Sequence, residues 1–79
     1  MATHRTHLQA AAAERHQLPH PGMRKAIRLD AGITQETLAG FIGVDRATIS
    51  RWETGKRTPT GSNLARYRQV LQTISGGRL

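Results

Sequence analysis

The chain has no cysteine, few acidic residues and only one residue each of tryptophan, tyrosine and phenylalanine. Without cysteine it can form neither a disulfide framework nor a thiolate metal site, so the fold must depend on helix packing. Its longest apolar stretches are a few residues, far short of the roughly 20 that a spanning helix needs, and the N-terminus lacks the apolar segment of a secretory signal. Membrane insertion and export are therefore not expected.

The charge balance is strongly basic for a chain of this size. Twelve Lys and Arg against five Asp and Glu give a formal net charge of +7 over 79 residues. Such an imbalance favours a polyanionic partner, and nucleic acid more than a membrane surface. A chain this short buries only about 60% of its unfolded surface, so we expect one small domain with no separate effector domain.

Residues 1–20 differ in composition from the rest and are predicted to form an N-terminal arm. They contain all four histidines, an alanine run at 10–13 and a proline-containing end. A helix over Thr6–Gln17 and a disordered segment both stay open. So does an arm whose Arg5, Arg15 and histidines make a loose electrostatic contact that follows the backbone of a nucleic acid or enters its minor groove. The histidine spacing does not favour a metal site, because the chain has no cysteines and few nearby carboxylates, so no metal is expected.

Residues 21–75 contain four amphipathic segments, which predict an all-α domain followed by a short C-terminal tail at 76–79. The first begins at Pro21 and stops before Gly32, the second follows a Thr34 cap and ends at Gly43, and the third runs from Arg46 to Thr54 after an Asp45 cap. We expect Ser62 to cap the fourth. The predicted inward side chains are Met23, Ile27, Leu38, Ala39, Ile42, Ile49, Trp52, Leu64, Tyr67, Leu71 and Ile74.

The second and third segments form two short helices joined through a glycine, the arrangement of a helix-turn-helix unit. Ile49 and Trp52 lie three residues apart and should pin the third helix to the core. Helical spacing then leaves a short basic face outward. Its members are Arg46, Ala47, Ser50 and Arg51.

These segments resemble the phage repressor and Cro-type helix-turn-helix family over residues 23–74. The resemblance rests on Arg28, the run from Gly32 to Gln35, Leu38-Ala39, Gly43, the run from Ile49 to Glu53, the run from Gly55 to Arg57, and Pro59. It implies a compact domain of four to five helices, like the DNA-binding domain of lambda repressor, with the third helix in the major groove. It also implies a structural pair between Arg28 and Glu53.

The resemblance assigns DNA contacts by position. Base contacts fall to Arg46, Ala47 and Arg51, with Ser50 at the margin of that set. Backbone contacts fall to Gln35, Lys56 and Arg57, with Thr48 at the margin. The chemistry agrees, because arginine pairs bidentately with guanine, an alanine methyl can touch a thymine methyl, and a helix N-terminus suits a phosphate. Asp45 departs from this pattern. An acid there lies near the phosphates and costs some affinity for DNA unless it caps tightly or accepts from a cytosine amine.

The predicted function is sequence-specific binding of a double-stranded DNA operator by a transcriptional regulator. A phage Cro-like or repressor protein acting by operator occupancy in the bacterial cytoplasm or nucleoid fits best. An antitoxin-like module that binds a protein and autoregulates through the same unit is the alternative, and neighbouring genes would separate the two. A homodimer and a monomer both stay open. No enzyme activity, cofactor or small-molecule ligand is expected, because no phosphate loop, activated nucleophile or carboxylate pair is present.

Overall fold

A computed structural model describes residues 18–78 of the chain. In that range the chain forms four helices and no strand: α1 is Pro21–Asp30, α2 is Gln35–Ile42, α3 is Arg46–Thr54 and α4 is Gly61–Ile74. The predicted all-α fold of four to five helices is confirmed, with four helices in the described residues. The predicted helix over Thr6–Gln17, and the arm up to residue 17, lie outside the described residues.

The two central helices begin and end at the residues that the sequence predicts. The Thr34 side chain accepts a hydrogen bond from the Thr37 amide at 3.1 Å, and the Asp45 side chain accepts from the Thr48 amide at 2.8 Å. Gly43 and Gly55 end α2 and α3 with φ angles of 89° and 78°, a left-handed conformation that glycine adopts without steric cost. These local signals fix the length of both helices.

The start of α4 differs from the prediction. Thr60, not Ser62, is the N-cap, and it makes no side-chain capping bond. Its backbone is extended, and its carbonyl already accepts from the Leu64 amide at 3.2 Å. Ser62 therefore lies inside the first turn, because the first hydrogen bond of the helix already ends on the Thr60 carbonyl.

The inward face of α1 also differs from the prediction. Met23 is 48% exposed, whereas the buried side chains of this helix are Arg24 and Arg28. Ile27 is half-buried and packs against the core. The helix thus turns a polar stripe inward, since both guanidinium groups find hydrogen-bond partners there.

The core lies where α2, α3 and α4 meet. Its fully buried large side chains are Leu38, Ile42, Ile49, Tyr67 and Leu71. Trp52 and Ala39 join them at 3% exposure, as the sequence predicts. Leu18 is buried in the same cluster although it was predicted to belong to the arm. The core therefore includes at least one residue of the predicted arm.

Tyr67 places a hydroxyl group in this core. Its ring lies 4.8 Å from the Trp52 ring, and the hydroxyl oxygen has no hydrogen-bond partner among the described residues. Burial raises the pKa of the phenol above its ordinary value. The ring packs well, whereas the hydroxyl carries a desolvation penalty that nothing in this range offsets.

Replacing Tyr67 by phenylalanine is therefore expected to leave the free energy of unfolding unchanged or to raise it by up to about 1 kcal/mol. Urea denaturation followed by circular dichroism measures this directly. Leu71→Ala, at the adjacent buried position, is the control and should lower the stability by about 2–5 kcal/mol. A clear loss in Tyr67→Phe would show that the hydroxyl is hydrogen-bonded after all.

Candidate nucleic-acid interface

The outward face of α3 is exposed and basic. Arg46, Ala47 and Arg51 are exposed, and Ser50 is half-buried. The opposite side of the helix holds Ile49, which is fully buried, together with Trp52. Because the inward residues fix the rotation of the helix, the four predicted base-contacting residues share the surface that faces away from the core.

Backbone hydrogen bonds close the turn between α2 and α3. The amides of Gly43 and Val44 both donate to the Ala39 carbonyl, at 2.8 and 3.0 Å. Ala39 itself is buried, so its small side chain allows the two helices to pack closely. Arg66 on α4 adds a bond at 3.4 Å from its guanidinium to the Ile42 carbonyl at the end of α2. The helix pair is thus held as one unit.

A buried ion pair connects α1 to the end of α3. Arg28 Nε donates to Glu53 Oε2 at 2.6 Å, and Arg28 Nη2 donates to Glu53 Oε1 at 3.0 Å. Their side chains are 7% and 2% exposed. Arg28 Nη1 also donates to the Ile33 carbonyl at 2.8 Å. The pair that the family resemblance implies is therefore present, and its bidentate geometry positions α3 relative to α1.

Gln35 contacts the same ion pair. Its Nε2 donates to Glu53 Oε1 at 3.1 Å, and the side chain is half-buried at the first residue of α2. The sequence predicts a phosphate contact for Gln35. One amide hydrogen is used by Glu53, and the second, with the backbone amides of the helix start, stays able to donate.

Arg24 is a further positioning residue that sequence reasoning missed. Its Nη1 donates to the Trp52 carbonyl at 3.0 Å and its Nε donates to the Pro19 carbonyl at 2.5 Å. Burial lowers the pKa of its guanidinium. The i, i+4 spacing from Arg28 is the one sequence signal that could have placed both arginines on the inward face.

The loop after α3 is folded back onto that helix. The Lys56 and Arg57 amides both donate to the Arg51 carbonyl, at 3.0 and 3.3 Å. Both side chains are exposed. The backbone bonds hold two cations next to the outward face of α3, where the sequence predicts backbone contacts.

A polar groove of about 300 Å³ separates α3 from the start of α4. Arg51 of the predicted base-contacting set and Thr48 and Arg57 of the predicted backbone-contacting set share its lining. Thr58, Thr60 and Asn63 are the other polar residues of its lining, and sequence reasoning assigned none of them to the interface. Only their closeness to the loop in sequence could have suggested them.

Asp45 adds one negative charge to this surface. Its Oδ1 accepts from the Thr48 amide at 2.8 Å and from the Thr48 hydroxyl at 2.6 Å. These two bonds, with the hydroxyl the stronger, lower the pKa of the carboxyl, and the nearby Arg51 lowers it further. The carboxylate is fully exposed and stays ionised at neutral pH.

A comparison with protein families decides the identity. A helix-turn-helix family model of the Cro and C1 repressor type matches residues 25–77, about two thirds of the chain. The chain belongs to this family of helix-turn-helix DNA-binding proteins. Comparisons with curated proteins and with solved structures gave no match.

In this helix-turn-helix protein, α2 and α3 are the two helices of the motif. The match covers all of both helices, together with α4 and most of α1. Over residues 18–78 none of the helices has the length and apolar character needed to cross a membrane. The same range holds no group of three or more potential metal-ligating side chains.

Proposed function

We propose that this helix-turn-helix protein regulates transcription by occupying a DNA operator, as a phage Cro-like or repressor protein does. The observation that supports it most is the exposed basic face of α3, which the buried Ile49 and Trp52 hold outward. An α-helix fits the major groove of duplex DNA, and the N-terminal residues of such a helix meet the base edges.

On this proposal Arg46 and Arg51 contact guanine O6 and N7, and Ala47 contacts a thymine methyl group. Ser50 is half-buried and lies between them, where its hydroxyl can donate to or accept from either base type. Neither arginine has a salt-bridge partner within 4.0 Å among the described residues. Their guanidinium groups are therefore free to form bidentate pairs.

Backbone contacts are assigned to the residues around this face. The start of α2 offers the Gln35 amide and the helix dipole to one phosphate. The groove between α3 and α4 offers Thr48 and Arg57 to another, with Thr58 and Asn63 beside them. Lys56 extends the positive surface. These contacts set the position of α3 without reading sequence.

Lys56→Ala is expected to weaken binding to all duplex sequences by a similar factor and to reduce the slope of log affinity against log salt by about one. Fluorescence anisotropy titrations at several salt concentrations measure both quantities. Lys25→Ala, an exposed position on α1 with the same change of charge, is the control and should change neither greatly. A sequence-dependent effect of Lys56→Ala would contradict its assignment to the backbone.

Operator occupancy is tested by transcription in vitro. A binding site placed over a promoter should give repression that follows the fraction of site bound, whereas the same site far upstream should have no effect. Repression from the upstream site, or activation from either, would contradict occupancy as the mechanism.

A further inference from the structure

Asp45 is an acid at the start of a helix whose other exposed charges are basic. It immediately precedes Arg46 and is exposed. Glu53, the other acid of this part of the chain, is buried against Arg28. Asp45 is thus the negative group that α3 would carry toward DNA, and the backbone and base contacts described above give it no role.

The capping bonds of Asp45 do not need its charge. Both hydrogen bonds from Thr48 end on the single oxygen Oδ1. Asparagine has an equivalent oxygen and serves equally well as an N-cap. The two bonds also hold the carboxylate in one place, so its second oxygen, Oδ2, is presented as an acceptor at a fixed position.

Asp45 is also connected through Thr48 to the groove that a predicted base-contacting residue lines. The Thr48 amide and hydroxyl both donate to the Asp45 carboxylate. Thr48 and Arg51 line the polar groove between α3 and α4. The carboxylate therefore lies at the N-terminal end of α3, beside the groove that Thr48 and Arg51 line.

We propose that Asp45 is a specificity-determining residue that rejects DNA sites unless a cytosine amine faces its carboxylate. The inference rests on the proposed function, because it needs α3 to enter the major groove by its first turn. A carboxylate only accepts hydrogen bonds, so it matches the cytosine N4 amine and opposes guanine O6 and N7 and thymine O4. Phosphates repel it in every sequence.

The consequence is a penalty that depends on sequence. At a matching site the amine offsets the repulsion, whereas unrelated DNA offers no such compensation. A side chain that discriminates by repulsion raises selectivity even where it lowers affinity. Asp45 thus sharpens the preference that the arginines of α3 provide.

The test is Asp45→Asn, which keeps the capping oxygen and removes the charge. We expect binding to a duplex of unrelated sequence to tighten about threefold, as removal of one charge close to the backbone allows. We also expect the preference for cytosine to fall at one position of the site. Competition titrations with duplexes changed at single positions measure both effects. Asp30→Asn, an exposed acid at the end of α1, is the control for net charge and should leave every base preference unchanged.

Folding is controlled separately. Asp45→Asn should melt near the wild-type temperature, whereas Asp45→Ala, which loses the cap, should melt lower. Asp45→Ser, a second capping residue without charge, replaces the asparagine variant if that variant is unstable. Folded uncharged variants that bind unrelated DNA like wild type, with every base preference intact, would overturn the inference. Absence of sequence-selective duplex binding by the wild-type protein would instead overturn the proposed function itself.

Discussion

Replacing Glu53 by leucine is expected to lower the free energy of unfolding by about 3–5 kcal/mol, a large share of the stability of a small domain. The substitution leaves the Arg28 guanidinium, whose side chain is 7% exposed, without its carboxylate partner. It also removes the acceptor of the Gln35 amide. Thermal and urea unfolding followed by circular dichroism measure the loss.

The double variant Arg28→Met with Glu53→Leu shows whether the loss comes from an unpaired buried charge or from lost packing, because both side chains are replaced by apolar ones of similar volume. Because two apolar side chains can replace a buried ion pair with little loss, we expect the double variant to recover most of the stability. The recovery of stability should be incomplete, because the Ile33 carbonyl loses the Arg28 donor. A Glu53→Leu variant within about 1 kcal/mol of wild type would show that the pair is not the link between α1 and α3 that its geometry indicates.

Replacing Arg51 by alanine has the largest effect expected on DNA recognition. A bidentate contact between arginine and guanine provides about 1–3 kcal/mol of discrimination, so preference at one base pair should fall by about 5- to 150-fold. The exposed position of Arg51 predicts little change in folding. Competition binding with duplexes that differ at single positions measures the loss.

Arg51→Lys is the matched control for charge. Lysine keeps the positive charge at that edge of α3 but lacks the planar fork of donors that guanine recognition uses. We therefore expect it to retain much of the overall affinity and to lose preference at the same base pair as the alanine variant. A uniform loss across all sequences in Arg51→Ala would instead place this arginine on a phosphate.

The sequence predicts α2 and α3 well because local rules govern both. Thr34 and Asp45 have side-chain oxygens that suit an N-cap, and Gly43 and Gly55 supply the left-handed residues that end the helices. The inward direction of Ile49 and Trp52 follows from helical periodicity alone. The outward face of α3 was therefore predictable from neighbours within a few residues.

The inward face of α1 was not predictable in that way. Arg24 turns inward because the Trp52 carbonyl, 28 residues later in the chain, accepts its hydrogen bond. Hydrophobic patterning alone predicts that the apolar Met23, and not Arg24, is buried on this face of α1. The burial of Leu18 likewise depends on packing against the assembled core, which no local pattern encodes.

The candidate interface likewise contains residues that local sequence predicts and residues that only tertiary contacts bring to it. The members of the α3 face follow from spacing and resemblance, whereas Thr58 and Asn63 join it only because the loop and the start of α4 come to lie beside α3. The bond from Gln35 to Glu53 is another tertiary contact, and it modifies a role assigned from position alone.

On the proposed function, α3 gives this protein a sequence preference on duplex DNA. Selection of binding sites from a random duplex library tests it most directly. The proposal predicts that one short motif containing guanine is enriched, as a single half-site for a monomer or as a palindrome with centres about 10 base pairs apart for a dimer. Recovery of duplexes with no common motif, at the same yield as random DNA, would contradict it.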